Sequence, residues 1–436
     1  MEYTLANSHQ TLIYQFNTSQ FKTSTICLVM NLPLNEDDYL HGLILKRLLL
    51  KKTAKFNTPL KLASRLRDLY DMRVDIDNLS SGDLHTLLLR VSFIDSYYVE
   101  EDTNLENEAV DVIEEILFNP ALKANGQFNE EDVEVEKRAI IDEISSVYNR
   151  KMAYAFRKLI HIMYKDTNIE VLLGDKIERI NTITSESLID FYQKLISKSS
   201  IYFVTMGKLN NQLVCEKVSN LIENHFNKNY INNYDNISVL ATDNPTCTTD
   251  FTKDTVKTNQ SVLAMGFTTD IRTYDEDYPA MIIANGMFGG YFHSELFQII
   301  REKYNFAYAL SSSYNSINGS IIVIAGVDNK NMVKAKELTL DILNQFKEGA
   351  LFEQNFELTK TSIISELLQS EDSRYTQLLL LKSNIDFKDR FLTNTELIEK
   401  IKATTYNDVI NVFKKINLCH TYFLEGNSEM DGETDA

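Results

Sequence analysis

Residues 129–147 read "NEEDVEVEKRAIIDEISSV", and the same pattern returns at residues 352–370 as "FEQNFELTKTSIISELLQS". Lys137 aligns with Lys360, the pair Ile140 and Ile141 with Ile363 and Ile364, and Glu143 with Glu366. Apolar residues at steps of three and four in both copies describe a helix with one buried face. Working outward, the neighbours repeat in the same order. "LASRLRDLYDMRVDIDNLSSGD" at 62–83 is echoed by "LFQIIREKYNFAYALSSSYNSINGS" at 296–320, with Arg67, Asp68 and Tyr70 answered by Arg301, Glu302 and Tyr304. "HTLLLRVSFI" and "SIIVIAGV" are short apolar runs rich in branched residues, the signature of strands. The halves also close alike, on "TITSESLIDFYQKL" with "SIYFVTMG" and on "KATTYNDVINVFKKI" with "CHTYFLEG", where Thr184–Ser185 and Thr404–Thr405 supply helix N-cap hydroxyls.

The chain is therefore a duplication, and the sequence predicts two α+β domains, each a mainly antiparallel sheet backed by helices. The expected boundaries are a first domain at 1–226, a polar Asn- and Thr-rich linker at 227–255, a second domain at 256–425 and an acidic, disordered tail at 426–436. A net charge of −18 repels phosphate backbones and excludes nucleic acid as an expected partner. No apolar run approaches the length of about 18 residues needed to span a bilayer, and no secretory signal opens the chain, so a cytoplasmic protein without a membrane partner is expected. The four cysteines, Cys27, Cys215, Cys247 and Cys419, lie far apart without a C-x-x-C spacing. Neither a disulfide frame nor a cysteine metal site is expected from them.

The duplication, together with "GMFGGYFHSELFQIIREKYNFAYALSSSY" at 286–314, resembles the insulinase/pitrilysin family of metallopeptidases. Active members carry H-x-x-E-H on a helix of the first domain: two histidines one turn apart bind zinc, the Glu polarises the attacking water, and a Glu on a later helix completes the site. The matching helix here is "HGLILKRLLLKKTAKFNTP". The resemblance places Leu43 and Arg47 at the two ligand positions, Lys46 at the position of the catalytic Glu, and Glu136 at the third ligand. A lone carboxylate among cations does not hold zinc, so this chain is expected to bind no cofactor, with zinc carried by a partner subunit. His41 has no histidine partner four residues on, where Leu45 stands.

What the resemblance does leave is the second-domain pair Arg301 and Tyr308, which in the family closes on the substrate beside the scissile bond. A guanidinium holds a peptide carbonyl or carboxylate with forked donors, and a phenol donates to a developing oxyanion. The first copy has Arg67 but Val74 in place of the tyrosine, so the pair belongs to the second half alone. Gly286, Gly289 and Gly290 read as a flexible turn at a helix end, the place of a substrate-admitting loop in related two-subunit peptidases. The expectation is a non-zinc subunit, inactive alone, that pairs as a heterodimer with a homologous zinc-motif subunit and acts on short or flexible peptides, such as the precursor of a ribosomally made bacteriocin or signalling peptide. The alternatives are a non-catalytic scaffold and a peptide-binding pseudoenzyme of the same fold.

Overall fold

The computed structural model describes residues 4–8, 11–99, 104–226, 245–349, 353–387 and 391–427. The first half runs β1 (Thr4–Ser8), β2 (Thr11–Asn17), β3 (Thr23–Pro33), α1 (Glu36–Lys51), α2 (Pro59–Asp68), β4 (Arg73–Ser81), β5 (Leu84–Ile94), α3 (Leu105–Phe118) and α4 (Glu130–Val147). It continues through α5 (Lys151–Met163), α6 (Asn168–Val171), α7 (Ile177–Thr182), α8 (Ser185–Lys198), β6 (Ser200–Gly207) and α9 (Asn211–His225). The second half runs β7 (Phe251–Val256), β8 (Ser261–Thr268), α10 (Tyr278–Asn285), β9 (Ala307–Asn315), β10 (Ser320–Val327), α11 (Met332–Lys347), α12 (Glu353–Ser370), α13 (Arg374–Asp386), α14 (Asn394–Ala403), α15 (Tyr406–Phe413) and β11 (Asn417–Gly426). Among the described residues no helix is long and apolar enough to cross a membrane.

The strands form two sheets, ordered β1-β2-β6-β3-β5-β4 and β7-β11-β8-β10-β9. In each, one pair is parallel (β2 with β6, β7 with β11) and every other pair is antiparallel. Apart from the added β1 the two orders superpose element for element, which is the α+β duplication the sequence implies. The repeat reaches individual atoms. Lys137, buried on α4, donates from Nζ to the carbonyls of Asn181 (3.0 Å) and Ile183 (2.9 Å). Its counterpart Lys360 on α12 donates to those of Lys402 (2.9 Å) and Thr404 (3.1 Å). Each lysine thus caps the free carbonyls at the end of a helix more than forty residues further on. Asp71 and Asn305, at matching turns, both take left-handed backbone (φ 55° and 53°), which Asp and Asn tolerate best among residues with a side chain.

The compact units do not follow a single cut. One gathers Met1–Ile144, Gly174–Leu240 and Leu378–Asp386; the other gathers Ser145–Leu173, Ala241–Gln377 and Phe387–Ala436. Each unit thus takes a helix from the opposite half of the chain. In the first unit one face of the sheet packs Ile26, Leu28, Leu87, Leu89 and Phe203 against helices including α1, α3 and α8. Its other face is covered by Leu378, Leu381 and Ile385 of α13, which lie on Cys27, Val29, Leu88, Tyr202 and Val204. In the second unit Leu159, Ile160 and Met163 of α5 cover Val262, Ala264, Tyr422 and Leu424. With both faces covered, central strands are apolar on both sides, so β6 is buried at every residue. Gly266 on β8 makes room for α5: a Cβ there would sit 2.1 Å from the sulfur of Met163.

The exchanged α13 is fastened by charge as well as by apolar contact. Lys382 and Asp386, one turn apart and fully buried, form an ion pair at 2.5 Å. The hydroxyl of Tyr202 (3.0 Å) and the amide of Asn31 (3.3 Å) also donate to Asp386.

Two expectations change. The cysteines were expected to be unpaired, yet Cys247 and Cys419 form a disulfide. The segment 245–250 runs beside β11, where Thr249 N–H donates to the Cys419 carbonyl (2.8 Å) and Thr421 N–H to that of Asp250 (3.0 Å). Of the expected linker, 227–244 lies outside the described residues, and its end already forms β7 of the second sheet. Most of the expected acidic tail, 428–436, also lies outside them.

Candidate functional site

Helix α1 starts where Asn35 accepts from Asp38 N–H and three acids, Glu36, Asp37 and Asp38, sit in the first turn. Its apolar stripe, Leu40, Ile44, Leu45, Leu48 and Leu49, enters the core. That packing leaves Lys46 and Arg47 on the outer side of the helix, while Leu43, one turn before Arg47, is partly buried against the core.

What Arg47 meets is carboxylate, not metal ligands. Its Nη2 donates to both oxygens of Glu143 (2.7 and 2.8 Å), and its Nη1 lies 3.8 Å from Glu136. Glu136 is held more closely by Lys51, at 3.1 Å; Lys51 also reaches Asp132 at 3.2 Å, and Lys52 reaches Asp132 at 2.6 Å. The sequence reading put the third-ligand position on Glu136. The acid that engages position 47 most closely is Glu143, two helical turns further on the same face of α4. Glu143 is also the residue that the repeat pairs with Glu366. Burial alone would raise the Asp132 carboxyl, but hydrogen bonds from Lys52 and Lys51 outweigh it and hold it below the ordinary range. Lys46 is half-buried, and burial first, then the charge of Arg47, pushes its ammonium below its usual pKa. His41 is committed elsewhere: Nδ1 is 2.6 Å from the Asp37 carbonyl and Nε2 2.9 Å from the Ser187 hydroxyl.

This donor set does not fit zinc, which takes neutral imidazoles and carboxylates or thiolates in a tetrahedron. At the positions the family resemblance assigns, a leucine and a guanidinium replace the two ligands and an ammonium the general base. Among the described residues no group of His, Cys, Asp and Glu could hold a metal ion.

In the second unit the glycine segment differs from its expectation. Gly286–Gly290 is a π-helical turn that continues α10 in right-handed backbone, not a flexible cap with a left-handed residue. Two of its glycines are there for close approach. A Cβ on Gly286 would come 2.6 Å from Thr359, and one on Gly289 would come 2.7 Å from Ser312. A second π-helical stretch, Phe297–Lys303, carries Arg301. Its guanidinium lies 4.5 Å over the ring of Phe297, with Nε 3.7 Å from Glu302. Backbone bonds from Tyr304 N–H to Ile299 (3.1 Å), Asn305 N–H to Arg301 (3.1 Å) and Phe306 N–H to Ile300 (2.9 Å) close this helix end and send the chain into β9.

Tyr308 is the second residue of β9, the edge strand. The register with β10 shifts there: Val327 faces Ala307 and Gly326 faces Ala309, which leaves Tyr308 as the extra residue of a bulge. Its ring lies across Gly326, where a Cβ would come within 2.2 Å. Burial, then the nearby charge of Asp328, raises the phenol's pKa and keeps it a proton donor. Tyr308 remains 49% exposed. Among the described residues neither its hydroxyl nor the guanidinium of Arg301 donates a hydrogen bond to a side chain or carbonyl. The structure thus places both residues in one unit, on either side of one turn, with Arg301 held only by its loose ion pair to Glu302. Gly326 and the bulge gave no sign in the sequence.

A family model described as the peptidase M16 inactive domain matches residues 182–363. The "Probable inactive metalloprotease YmfF" of Bacillus subtilis is 30% identical over 421 residues, covering 94% of each chain. The "Antilisterial bacteriocin subtilosin biosynthesis protein AlbE" of the same species is 26% identical over 166 residues, 38% of this chain and 42% of its own. In fold, a crystal structure of a conserved protein from Enterococcus faecalis V583 superposes over the whole of both chains with a TM-score of 0.88 at 24% identity. The chain belongs to the insulinase/pitrilysin (M16) family of metallopeptidases, with the residues of the zinc motif replaced.

Proposed function

We propose that this chain is the non-zinc subunit of a heterodimeric zinc metallopeptidase of the cytoplasm, lending Arg301 and Tyr308 to the zinc site of a homologous H-x-x-E-H subunit. The observation that carries the reading is the state of those two side chains: braced on Phe297 and Gly326, half-exposed, with Arg301 held only by a 3.7 Å ion pair to its neighbour Glu302. Donors fixed in advance cost little reorganisation when an oxyanion forms. The substrate is a short or flexible peptide. A role in making a ribosomal peptide is supported by the partial likeness to a protein named for subtilosin biosynthesis.

The test is co-expression with a zinc-motif homologue from the same genome, then size-exclusion and a quenched-peptide assay. A one-to-one complex that cuts peptides, where neither chain does alone, is expected. Within it Arg301→Ala or Tyr308→Phe lowers kcat/KM by about 10–1000-fold, the range for losing one transition-state donor. A partner fully active by itself, or variants that leave kcat/KM unchanged, would reduce the chain to a scaffold.

A further inference from the structure

The side chains between α1 and α4 alternate in sign along one line: Glu143, Arg47, Glu136, Lys51, Asp132, Lys52. Each contact joins a cation of α1 or its C-cap to a carboxylate of α4. At the inner end the partners are largely buried, with Glu136 14% and Asp132 20% exposed; Glu143, at the outer end, is 66% exposed. Arg47 is the branch point, turning one terminal nitrogen toward Glu143 and the other toward Glu136. In charge, Lys46, Arg47, Lys51 and Lys52 set four positive groups against the three carboxylates, leaving one positive charge in excess. Lys46 is that excess: it makes no ion pair among the described residues, and only Asp77 and Glu143 offset it from a distance. A divalent cation brought here meets repulsion and finds its carboxylates taken.

We infer that the Arg47 guanidinium is a built-in cation performing the structural half of a metal's task, tying α1 to α4 through Glu143 and Glu136, so that this face of the fold is independent of metal supply. Arginine suits the role because it keeps its charge at any physiological pH, and its planar group can turn separate nitrogens to separate carboxylates. A zinc ion can be stripped by a chelator or a competing site, whereas a covalently attached cation cannot. This inference concerns the chain by itself and stands apart from the proposed pairing.

The experiment uses the purified full chain. Wild type is melted with EDTA and with added zinc; Arg47→Ala, Arg47→Lys and the triple variant Leu43→His/Lys46→Glu/Arg47→His are melted alike, with bound zinc counted by mass spectrometry. Wild type is expected to melt at one temperature under both conditions and to retain no stoichiometric zinc. Arg47→Ala is expected to melt about 2–5 °C lower, in line with the loss of a partly buried network. Arg47→Lys, which keeps the charge but not the fork, is expected to fall between, and is read alone should Arg47→Ala fail to fold. The triple variant regains with zinc the temperature it loses without it, because two imidazoles and Glu136, the third-ligand position that the family resemblance assigns, then supply three ligands. The inference is overturned if chelation lowers the wild-type melt, if Arg47→Lys and any folded Arg47→Ala melt like wild type, or if zinc leaves the triple variant's melt unchanged.

Discussion

Lowering the pH from 7 to 5 should destabilise the protein through one buried imidazole. His85 on β5 is 1% exposed and packs against the ring of Phe191, 6.1 Å away and nearly parallel. Its Nε2 lies 2.6 Å from Oδ1 of Asn78, whose own amide donates to the Tyr39 carbonyl at 3.1 Å. That arrangement fixes the neutral tautomer with the proton on Nε2, and leaves Nδ1 buried without a partner. A second proton there would have no acceptor. Burial, countered in part by Asp38 and reinforced by Lys194, pushes the pKa from 6.5 down to about 4. The folded pKa is depressed, so below pH 6.5 the unfolded chain takes up a proton the folded chain refuses. Stability therefore falls with pH through this window and stops falling below about 4. Integrated from pH 7 to pH 5, the loss comes to about 2 kcal/mol of an eventual 3 or so. The assay is urea unfolding at both pH values for wild type and His85→Gln, which keeps a donor for Asn78 but cannot titrate. Carboxylates common to both proteins cancel in the double difference. Wild type should lose about 2 kcal/mol more than the variant. Equal losses would refute the reasoning, because His85 would then take its proton equally readily in both states.

Other outcomes follow from the same geometry. Asp386→Ala leaves Lys382 buried without its carboxylate partner, and should cost about 3–5 kcal/mol in urea unfolding, whereas Lys382→Met combined with Asp386→Leu should cost less than either single change. Gly326→Ala brings a methyl against Tyr308; in the active complex its kcat/KM should fall to that of Tyr308→Phe, with little added loss when the two are combined. Additive losses would mean that Gly326 acts otherwise. Reducing the Cys247–Cys419 bond, or replacing Cys419 by Ser, should lower stability by about 2–4 kcal/mol, while equal melts with and without reductant would show the thiols unjoined in solution.

The duplication was legible because helix and strand periods survive divergence: Lys137 and Lys360 announced their shared role by position alone. The missing zinc motif was equally plain, since the chemistry demands residue types that Leu43, Lys46 and Arg47 are not. Less could be read where partners meet only in space. Nothing in "RYTQLLLLKSNID" says which sheet α13 covers, because a helix lying on a sheet presents the same apolar residues whichever half supplies that sheet. Cys247 and Cys419 are separated by 172 positions, and only the pairing beside β11 brings them together. Glu136 and Glu143 lie on one helix face, and a spacing of seven does not tell from the sequence which of them Arg47 engages more closely. The glycines of 286–290 looked flexible in sequence; their neighbours Thr359 and Ser312, which explain them, lie far along the chain.

The exchange of α5 and α13 has a consequence for how the protein is born. A ribosome releases the chain from its N-terminus at about 5–20 residues per second. When α9 has emerged, every strand of the first sheet exists, yet the helix that shields Cys27, Val29, Leu88, Tyr202 and Val204 is still some 160 residues from being made. For roughly 8–30 s at those speeds the nascent protein shows a finished sheet with one greasy side bare. During that interval α5 has the converse difficulty, an apolar helix whose sheet has not been synthesised. A chaperone bound near the tunnel exit would find its client in that window, and a chain truncated before Arg374 would be left in it permanently.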